Sequence, residues 1–202
     1  MSPRPYSMGK REAAADKTRS RILESARQLL ANESETDLTM EAIARRADVS
    51  RLTIYYQFES RTGLLEALYD YLAMRGNMQR MAEVFHEADA SVALQKLVRT
   101  FVGFWSSDPA VIRRLRAMAA FDPEIAKGIQ ARDGRRLHAA REILRRAGLI
   151  DTKKTVKARN SAAEVLSMLT SFETYDALAR AGQTEEQILA TITDLARHIS
   201  GL

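Results

Sequence analysis

The chain has 202 residues, 46% of them hydrophobic, and a formal net charge of +5. This is enough apolar material to bury a core and too much for a disordered chain. Cysteine is absent, which excludes disulfides and thiolate chemistry and suits a reducing cytoplasm, and no stretch approaches the ~20 apolar residues of a membrane span. We therefore expect a cytoplasmic globular protein that is not exported and does not bind a membrane.

Charge is segregated along the chain. Lys and Arg outnumber Asp and Glu by six to two in residues 1–21 and by fourteen to five in residues 113–159, whereas residues 160–202 hold two basic and six acidic side chains. The overall basicity favours a polyanionic partner, although such basicity is common and its placement matters more than its total.

The hydrophobic pattern predicts an all-α fold. Apolar residues recur at helical spacing, no alternation of period two is sustained, and only four prolines and nine glycines interrupt the pattern. In the first predicted helix one stripe holds Ile22, Leu23, Ala26, Leu29 and Leu30. Thr39 and Ser50 are N-cap residues of two short helices that a three-residue turn separates. Helices of about two turns are marginal alone, so these three are expected to form one three-helix head.

Six further helices are predicted after the head, nine in all. Ser60 begins a long helix that Gly76 bends or splits, and later helices begin at residue 89 or 91, at Asp108-Pro109 and at Asp122-Pro123. The last two span about 155–181 and 185–200. We expect a flexible basic N-terminal arm (1–14), a helix-turn-helix DNA-binding domain (15–62) and a ligand-binding and dimerisation domain (63–202).

The pattern from Thr39 to Phe58 is typical of a helix-turn-helix. Ala44 and Ala47 are small enough for two helices to cross closely, and Val49 and Ile54 fill the angle between them. The second helix of such a pair enters the major groove of DNA.

The residues of that second helix have plausible roles on DNA. Arg51 matches guanine, Gln57 matches adenine, and Leu52 or Thr53 matches the thymine methyl group, while hydroxyl groups and Arg61 reach phosphates. The alternative is that the two tyrosines are core aromatics and Arg51 is a solvated charge. The predicted contact set is Thr39, Ser50, Arg51, Leu52, Thr53, Tyr55, Tyr56, Gln57 and Arg61.

The residues of the predicted head, from Thr18 to Leu65, together resemble the DNA-binding head of the tetracycline-repressor (TetR) family over some fifty residues. Asp48 in place of the usual turn glycine, Arg61 in place of a usual lysine and Leu52 at a variable site are departures. The resemblance implies a homodimer whose last two helices form a four-helix bundle, a variable ligand pocket in each body, and release from operator DNA when ligand binds. It is carried by Thr18, Ile22, Leu23, Ala26, Leu29, Leu38, Thr39, Ile43, Ala44, Ala47, Val49, Ser50, Thr53, Ile54, Tyr55, Phe58, Ser60, Leu64 and Leu65.

The apolar faces of the last two predicted helices also favour a dimer, because helices apolar around so much of their circumference need more than one partner. The alternative is that both helices pack inside one subunit. The predicted interface consists of Val165, Leu169, Phe172, Ile188, Ile192, Leu195 and Ile199.

A pocket for a hydrophobic or amphipathic effector is expected around the aromatic residues of the body, although each of them is also a plausible core residue. The candidates are Phe101, Phe104, Trp105, Met118, Phe121, Phe172 and Tyr175. A run of arginines is either a site for an anionic effector or a solvated helix surface. It comprises Arg113, Arg114, Arg116, Arg132, Arg135, Arg136, Arg141, Arg145 and Arg146.

Enzyme classes find little support in the residues. No phosphate-binding glycine loop is present, the three histidines lie far apart, and Glu83-x-x-His86 is a single copy of a di-iron motif that needs two. No cofactor or metal is expected. A helical protein-binding adaptor stays an alternative, but it leaves the basic N-terminus and the residues from Arg51 to Tyr56 without a role. The sequence therefore predicts a DNA-binding transcriptional repressor.

Overall fold

The computed structural model describes residues 8–32, 38–148 and 156–202, with the side chains of 8–11 and 156–161 left aside. Over these ranges the chain forms eleven α-helices, one short 3-10 helix and no strand, which confirms the all-α prediction. None of the helices described is both long and apolar enough to cross a membrane. The α-helices are α1 (Met8–Ala31), α2 (Met40–Arg46), α3 (Arg51–Phe58), α4 (Arg61–Arg75), α5 (Met81–His86), α6 (Ala90–Ser107), α7 (Pro109–Met118), α8 (Pro123–Arg146), α9 (Val156–Leu169), α10 (Phe172–Arg180) and α11 (Glu185–Ser200).

The predicted number of nine helices is wrong, because two of the predicted helices are each divided. The first division follows α4, where Gly76 and the left-handed Asn77 (φ 58°) lead into the 3-10 helix Met78–Arg80. A Cβ atom at Gly76 would lie 2.3 Å from Cδ2 of Phe104, so glycine lets the chain pass close to α6.

The second division separates α9 from α10. The hydroxyl of Thr170 donates to the carbonyl of Leu166 at 2.9 Å, and the side chain of Ser171 accepts the N–H of Thr174 at 3.2 Å as the N-cap of α10. Hydroxyl side chains compete with the helix for its own backbone groups. The successive residues Thr170 and Ser171 therefore end α9 and begin α10.

The predicted flexible arm is also corrected. Residues 8–14 belong to α1, which begins at Met8, while residues 1–7 lie outside the described residues. The segment from Lys10 to Ala15 contains only strong helix formers, and this local preference extends the helix ahead of its buried stripe.

The chain divides into two units, Met1–Tyr71 and Leu72–Leu202. The division lies nine residues after the predicted boundary, because the buried residues Leu64, Leu65 and Leu68 of α4 belong to the first unit. Helix α4 spans the division. In the first unit α1, α2 and α3 contact one another, and Ile22, Ile43 and Ile54 are almost fully buried.

The second unit has a core of its own. Helix α6 contacts α5, α8 and α11, and α9 contacts α8 and α11. The side chains of Leu94, Leu97, Val98 and Leu166 are completely buried there. The indole N–H of Trp105 donates to the carbonyl of Thr170 at 2.9 Å, so the ring is buried with its polar atom satisfied.

The partly buried carboxylate of Glu24 joins α1 to α4 within the first unit. The hydroxyl of Tyr71 donates to Glu24 at 2.7 Å, and Arg27 pairs with the same carboxylate at 2.9 Å. The hydrogen bond from Arg27, helped by those from Tyr71 and Gln28, lowers the pKa of Glu24 from 4.5 to about 2 against the effect of burial. The ionised carboxylate is therefore favoured by folding.

Tyr71→Phe is expected to lower the free energy of unfolding at pH 7 by about 0.5–1.5 kcal/mol, since it removes a hydrogen bond to a charged group that is 31% exposed. Because the folded-state pKa is depressed, the difference is present above pH 4.5 and shrinks as the pH falls towards 2. Urea unfolding across this range measures it. Tyr56→Phe, on an exposed tyrosine, is the control, and a loss independent of pH would contradict the assignment.

Candidate nucleic-acid interface

The turn between α2 and α3 has helix-turn-helix geometry. Asp48 adopts the left-handed conformation (φ 50°), as expected for a residue in place of glycine, and the N–H of Val49 donates to the carbonyl of Ala44 at 3.0 Å. Ala47 and Ile54 are buried at the crossing, as the sequence predicts. Val49 is only half-buried, so Ile54 fills the angle between the helices.

Both short helices have the predicted N-caps. Thr39 accepts the N–H of Ala42 at 3.1 Å, and Ser50 accepts the N–H of Thr53 at 3.0 Å. The hydroxyls of Ser50 and Thr53 also lie 2.9 Å apart. The hydroxyl of Thr39 acts as an acceptor in its cap and keeps its own proton for donation, for example to a phosphate oxygen.

One face of α3 is directed to solvent. Ile54 and Phe58 are buried, whereas the side chains at the four positions 51, 52, 55 and 56 are exposed, Tyr56 to 87% and Leu52 to 70%. This arrangement excludes the alternative that the two tyrosines are core aromatics. An exposed apolar and aromatic face on a short helix indicates a binding surface rather than a merely solvated helix.

Arg51 is exposed but held in place. Its guanidinium hydrogen-bonds to Tyr55 and pairs with Glu41, in the first turn of α2; the hydrogen bond with Tyr55 and then the charge of Glu41 raise the pKa of Arg51. Glu41 was not among the residues predicted from the sequence. The sequence feature that could have indicated it is its place in the first turn of α2, where an acidic side chain faces the positive end of the helix dipole.

Arg19 was also missed. Its Nη1 donates to the carbonyl of Gln57 at 2.6 Å, and its guanidinium lies 4.2 Å from the centre of the Phe58 ring. The carbonyl of Gln57 belongs to the last turn of α3, where carbonyls have no partner within the helix. Arg19 therefore fixes the C-terminal end of α3 to α1, and the side chain of Gln57 is half-buried.

The turn from α3 to α4 completes this surface. Ser60 caps α4 by accepting the N–H of Gly63 at 3.0 Å, as predicted, and Glu59 has a positive φ (65°) with a ψ of −42°. A Cβ atom at Gly63 would lie 2.1 Å from the carbonyl oxygen of Phe58, so glycine allows the two helices to approach. Arg61, the first residue of α4, is half-buried.

Five of the predicted pocket residues form one aromatic cluster in the second unit. Trp105 lies 6.0 Å from Phe101, 4.6 Å from Phe104 and 5.6 Å from Phe172, and Phe172 lies 6.4 Å from Tyr175, measured between ring centres. Burial raises the pKa of Tyr175. The rings touch one another, and this cluster forms part of the core of the unit.

The other two predicted pocket residues lie elsewhere. Phe121 is 92% exposed, so its inclusion in a buried pocket is wrong; it sits in the tight turn after α7, where no core residue covers it. Met118 is half-buried at the end of α7. A separate cleft of about 320 Å³ is lined by Arg116, Ala119, Ala120, Ala126, Ile129, Gln130 and Glu173, none of them predicted as pocket residues.

The predicted dimer face is largely internal. Four of the predicted residues are buried in the core of the second unit: Leu169, Phe172, Ile188 and Ile192. For these four the alternative given above, packing inside one subunit, is the one the structure supports. Four-residue spacing identified the apolar face but not which partner covers it. Leu195 is 47% exposed, and Val165 and Ile199 are partly buried.

Most of the arginine run is engaged in ion pairs and hydrogen bonds. Arg116 pairs with Asp133 at 3.1 Å and with Glu173, and the buried Arg136 pairs with Asp133 at 2.7 Å and donates to the carbonyl of Ser167 at 3.0 Å. The remaining partners follow the same principle: Arg113 with Asp176, Arg145 with Glu142, Arg132 with the Gly128 carbonyl, and Arg146 with the carbonyls of Val84 and Phe85. Neither of the two alternatives describes this result fully, because Asp176 and Glu173 lie 63 and 57 residues from their arginine partners, whereas Asp133 and Glu142 lie three residues from Arg136 and Arg145.

The half-motif Glu83-x-x-His86 has no metal-binding surroundings. Both residues are exposed, and the imidazole of His86 bonds to the carbonyl of Ala82 at 2.7 Å. In the part of the chain that the structure describes, no group of three or more His, Asp or Glu residues is placed to hold a metal ion.

Comparison with known proteins matches residues 22–68 to the profile of bacterial regulatory proteins of the tetR family. The chain is 32% identical over 117 residues to the HTH-type transcriptional regulator AlkX of Mycobacterium tuberculosis, covering 55% of this chain and 53% of that one. It is 29% identical over 108 residues to the regulator EthR of the same species, covering 52% and 50%. The chain thus matches about half the length of these relatives, both of which are HTH-type transcriptional regulators.

Solved structures extend the likeness in fold to nearly the whole chain. A TetR transcription regulator from Haloarcula marismortui superposes with a TM-score of 0.67 at 16% identity, covering 92% of this chain and 97% of that one. A regulator from Saccharomonospora viridis, solved with choline, gives 0.67 at 21% identity, covering 91% and 97%. Residues 22–68 thus match the tetR family of bacterial regulatory proteins, and the fold of nearly the whole chain is similar to that of solved regulators of this kind.

Proposed function

We propose that this protein is a ligand-responsive transcriptional repressor that acts in the cytoplasm and binds a palindromic operator as a dimer. The observation that carries the proposal is the solvent-directed face of α3, where Arg51, Leu52, Tyr55 and Tyr56 extend from a helix anchored at both ends. A rigid helix of this size fits the major groove of B-DNA.

The chemistry of this face suits base recognition. Arg51, in the first turn of α3, presents the two parallel N–H groups that pair with O6 and N7 of guanine, and Leu52 and Thr53 suit the methyl group of thymine. Glu41 and Tyr55 restrict the guanidinium before DNA arrives, which reduces the entropy lost on binding.

Phosphate contacts would come from the border of the same face. Thr39 and Ser50 lie at the start of α2 and α3 with their hydroxyls exposed, Tyr55 carries a phenolic O–H, and Arg61 begins α4. Such contacts set the register of the protein on DNA without reading its sequence.

The dimer is inferred from what operator binding requires and not from contacts within the single chain. One helix of eight residues reads only a few base pairs, and two linked heads multiply the affinity. Exposed apolar side chains on α9 and α11, namely Met168 and Leu195, are candidates for the contact between protomers.

The proposal is tested on sequences that the protein selects from random duplex DNA. Arg51→Ala is expected to lose about 1–3 kcal/mol per half-site and the preference at one base pair, because it removes a bidentate contact. Arg61→Ala is expected to weaken all sequences alike. Selection profiles and titrations with labelled duplexes measure both effects.

Arg51→Lys is the matched control, since it retains the charge and loses the fork of two donors. It should keep non-specific binding and lose the base preference. Identical sequence preferences for wild type, Arg51→Ala and Arg61→Ala would contradict the assignment of α3 as the reading helix.

The effector is proposed to be a hydrophobic or amphipathic molecule that binds at the aromatic cluster around Trp105. The cluster offers the faces of several rings, which bind apolar groups and also quaternary ammonium groups such as the choline bound by the Saccharomonospora viridis protein. Because the rings touch, a ligand must separate them, which would alter the packing of α6 against α10.

A ligand at this cluster is expected to change the fluorescence of Trp105, the single tryptophan, and to lower operator affinity. Operator must then weaken the ligand by the same factor, because coupling between two binding sites is reciprocal. Choline and a long-chain fatty acid are suitable probes, titrated with and without operator. Phe104→Ala should weaken a bound probe and Phe85→Ala should not. Probe binding with an affinity that operator leaves unchanged would contradict the coupling.

A further inference from the structure

Phe121 is the most exposed of the large hydrophobic side chains that the structure describes, at 92%. The next two, Tyr56 and Leu52, lie on α3 and have a role in the proposed DNA interface. Phe121 lies in the second unit and has no role in DNA or effector binding. One exposed ring alone is ordinary, but Phe121 adjoins the cleft wall formed by Ala119 and Ala120, and an exposed apolar patch of this kind is a surface that a partner can cover.

The turn that carries Phe121 is well defined. The N–H groups of Phe121 and Asp122 both donate to the carbonyl of Met118 at 3.0 Å. Asp122 in turn caps α8, accepting the N–H groups of Glu124 at 3.1 Å and Ile125 at 3.3 Å. The ring is therefore presented from a hydrogen-bonded corner between two helices.

The cleft of about 320 Å³ lies directly beside this corner, since Ala119 and Ala120 form part of its wall. Ala126 and Ile129 of α8 provide further apolar wall, and the small alanine side chains leave the space open. The cleft is open to solvent and has polar groups on part of its wall, but its volume exceeds the roughly 150 Å³ in which an enclosed apolar cavity holds benzene, so a phenyl ring has room there.

We propose that Phe121 of each protomer inserts into this cleft of a second copy of the chain. A two-fold interface brings the same patch of both copies together, and here one patch contains both the ring and its receptor. Arg116 and Glu173, joined in an ion pair, lie at the wall of the cleft and supply opposite charges, which gives a polar border around an apolar anchor.

This inference rests on the dimer of the proposed function and deepens it. Two aromatic rings bury about 300–500 Å², less than a third of a standard interface of about 1,600 Å². Phe121 is therefore an anchor within a larger contact, to which the exposed Met168 and Leu195 would add area. Aromatic anchors seated in pockets typically dominate binding energy.

The test measures the dimer dissociation constant of the full chain by sedimentation. Phe121→Ala is expected to raise this constant at least about a hundredfold, roughly tenfold for each ring, since the two-fold removes two rings at once. Tyr56→Ala is the matched control: it also removes an exposed aromatic ring, but from α3, and should leave the constant unchanged.

The cleft is tested independently by filling it. Ala126→Leu, or Ala120→Leu if the first variant does not fold by circular dichroism, should weaken the dimer to a similar degree. Mixing this variant with Phe121→Ala is the sharper experiment. In the heterodimer, Phe121 of the cleft-filling variant can insert into the open cleft of the Phe121→Ala variant. Neither homodimer allows an insertion, because one lacks the ring and the other lacks the open cleft. Heterodimers should form with a constant about tenfold lower than either homodimer.

The outcomes separate the two proposals. A wild-type chain that sediments as a monomer would overturn the proposed dimer and this inference with it. A dimeric wild type whose Phe121→Ala and cleft-filling variants dimerise unchanged would overturn only the inference. Equal weakening by both variants without preferential heterodimers would show damage to the fold and would also overturn it.

Discussion

The DNA-binding face depends on how two very short helices are held. Helices α2 and α3 have seven and eight residues, lengths that are not stable alone in water. They persist because Ile43 and Ile54 are buried against the stripe of α1, and because small residues let them cross closely at Asp48. The position of every proposed base contact follows from this packing, since the exposed side of α3 is what remains when Ile54 and Phe58 turn inward.

Anchoring at both ends gives α3 its rigidity. Ser50 closes the first turn, and Arg19 binds the carbonyl of Gln57 and covers Phe58 at the last. A reading helix with fixed ends places its side chains reproducibly and loses little entropy on meeting DNA. Arg51 follows the same principle, because Glu41 and Tyr55 hold its guanidinium before any base is present.

The second unit is organised by aromatic packing on one side and by ion pairs on the other. Trp105 connects α6 with α10 through Phe172 and through the Thr170 carbonyl. Arg116, Asp133 and the buried Arg136 join α7, α8 and the end of α9. Buried charges require such partners, so we assign Arg116 and Arg136 a structural role and not a role in binding a ligand.

The sequence was most informative where structure is local. The N-caps Thr39, Ser50, Ser60 and Asp122 and the turn residue Asp48 all lie where the pattern predicts, because each depends on a few neighbouring residues. These signals, with the helical period, suffice for the fold class and for the exposed face of α3.

Pairings between distant residues were not predictable from the sequence. Helical periodicity shows that Ile188 and Ile192 are apolar on one face but not that their own chain covers them. Arg116 meets Glu173, 57 residues away, and Arg19 meets Gln57, 38 residues away. Such contacts depend on tertiary packing, which a reading of single segments does not contain. Phe121 was assigned to a pocket by its residue type alone, whereas the tight turn after α7 leaves it exposed.

The proposal that two copies of α3 read two symmetry-related half-sites can be tested directly. The most direct measurement is the affinity of the wild-type protein for a full palindromic duplex, for one half-site of the same length and for a scrambled duplex, each over a range of salt concentrations. Binding to the palindrome is expected to be much tighter, with log K falling steeply and linearly with log salt as phosphate contacts release counterions. Equal affinity for the palindrome and the half-site, or an affinity independent of salt, would contradict it.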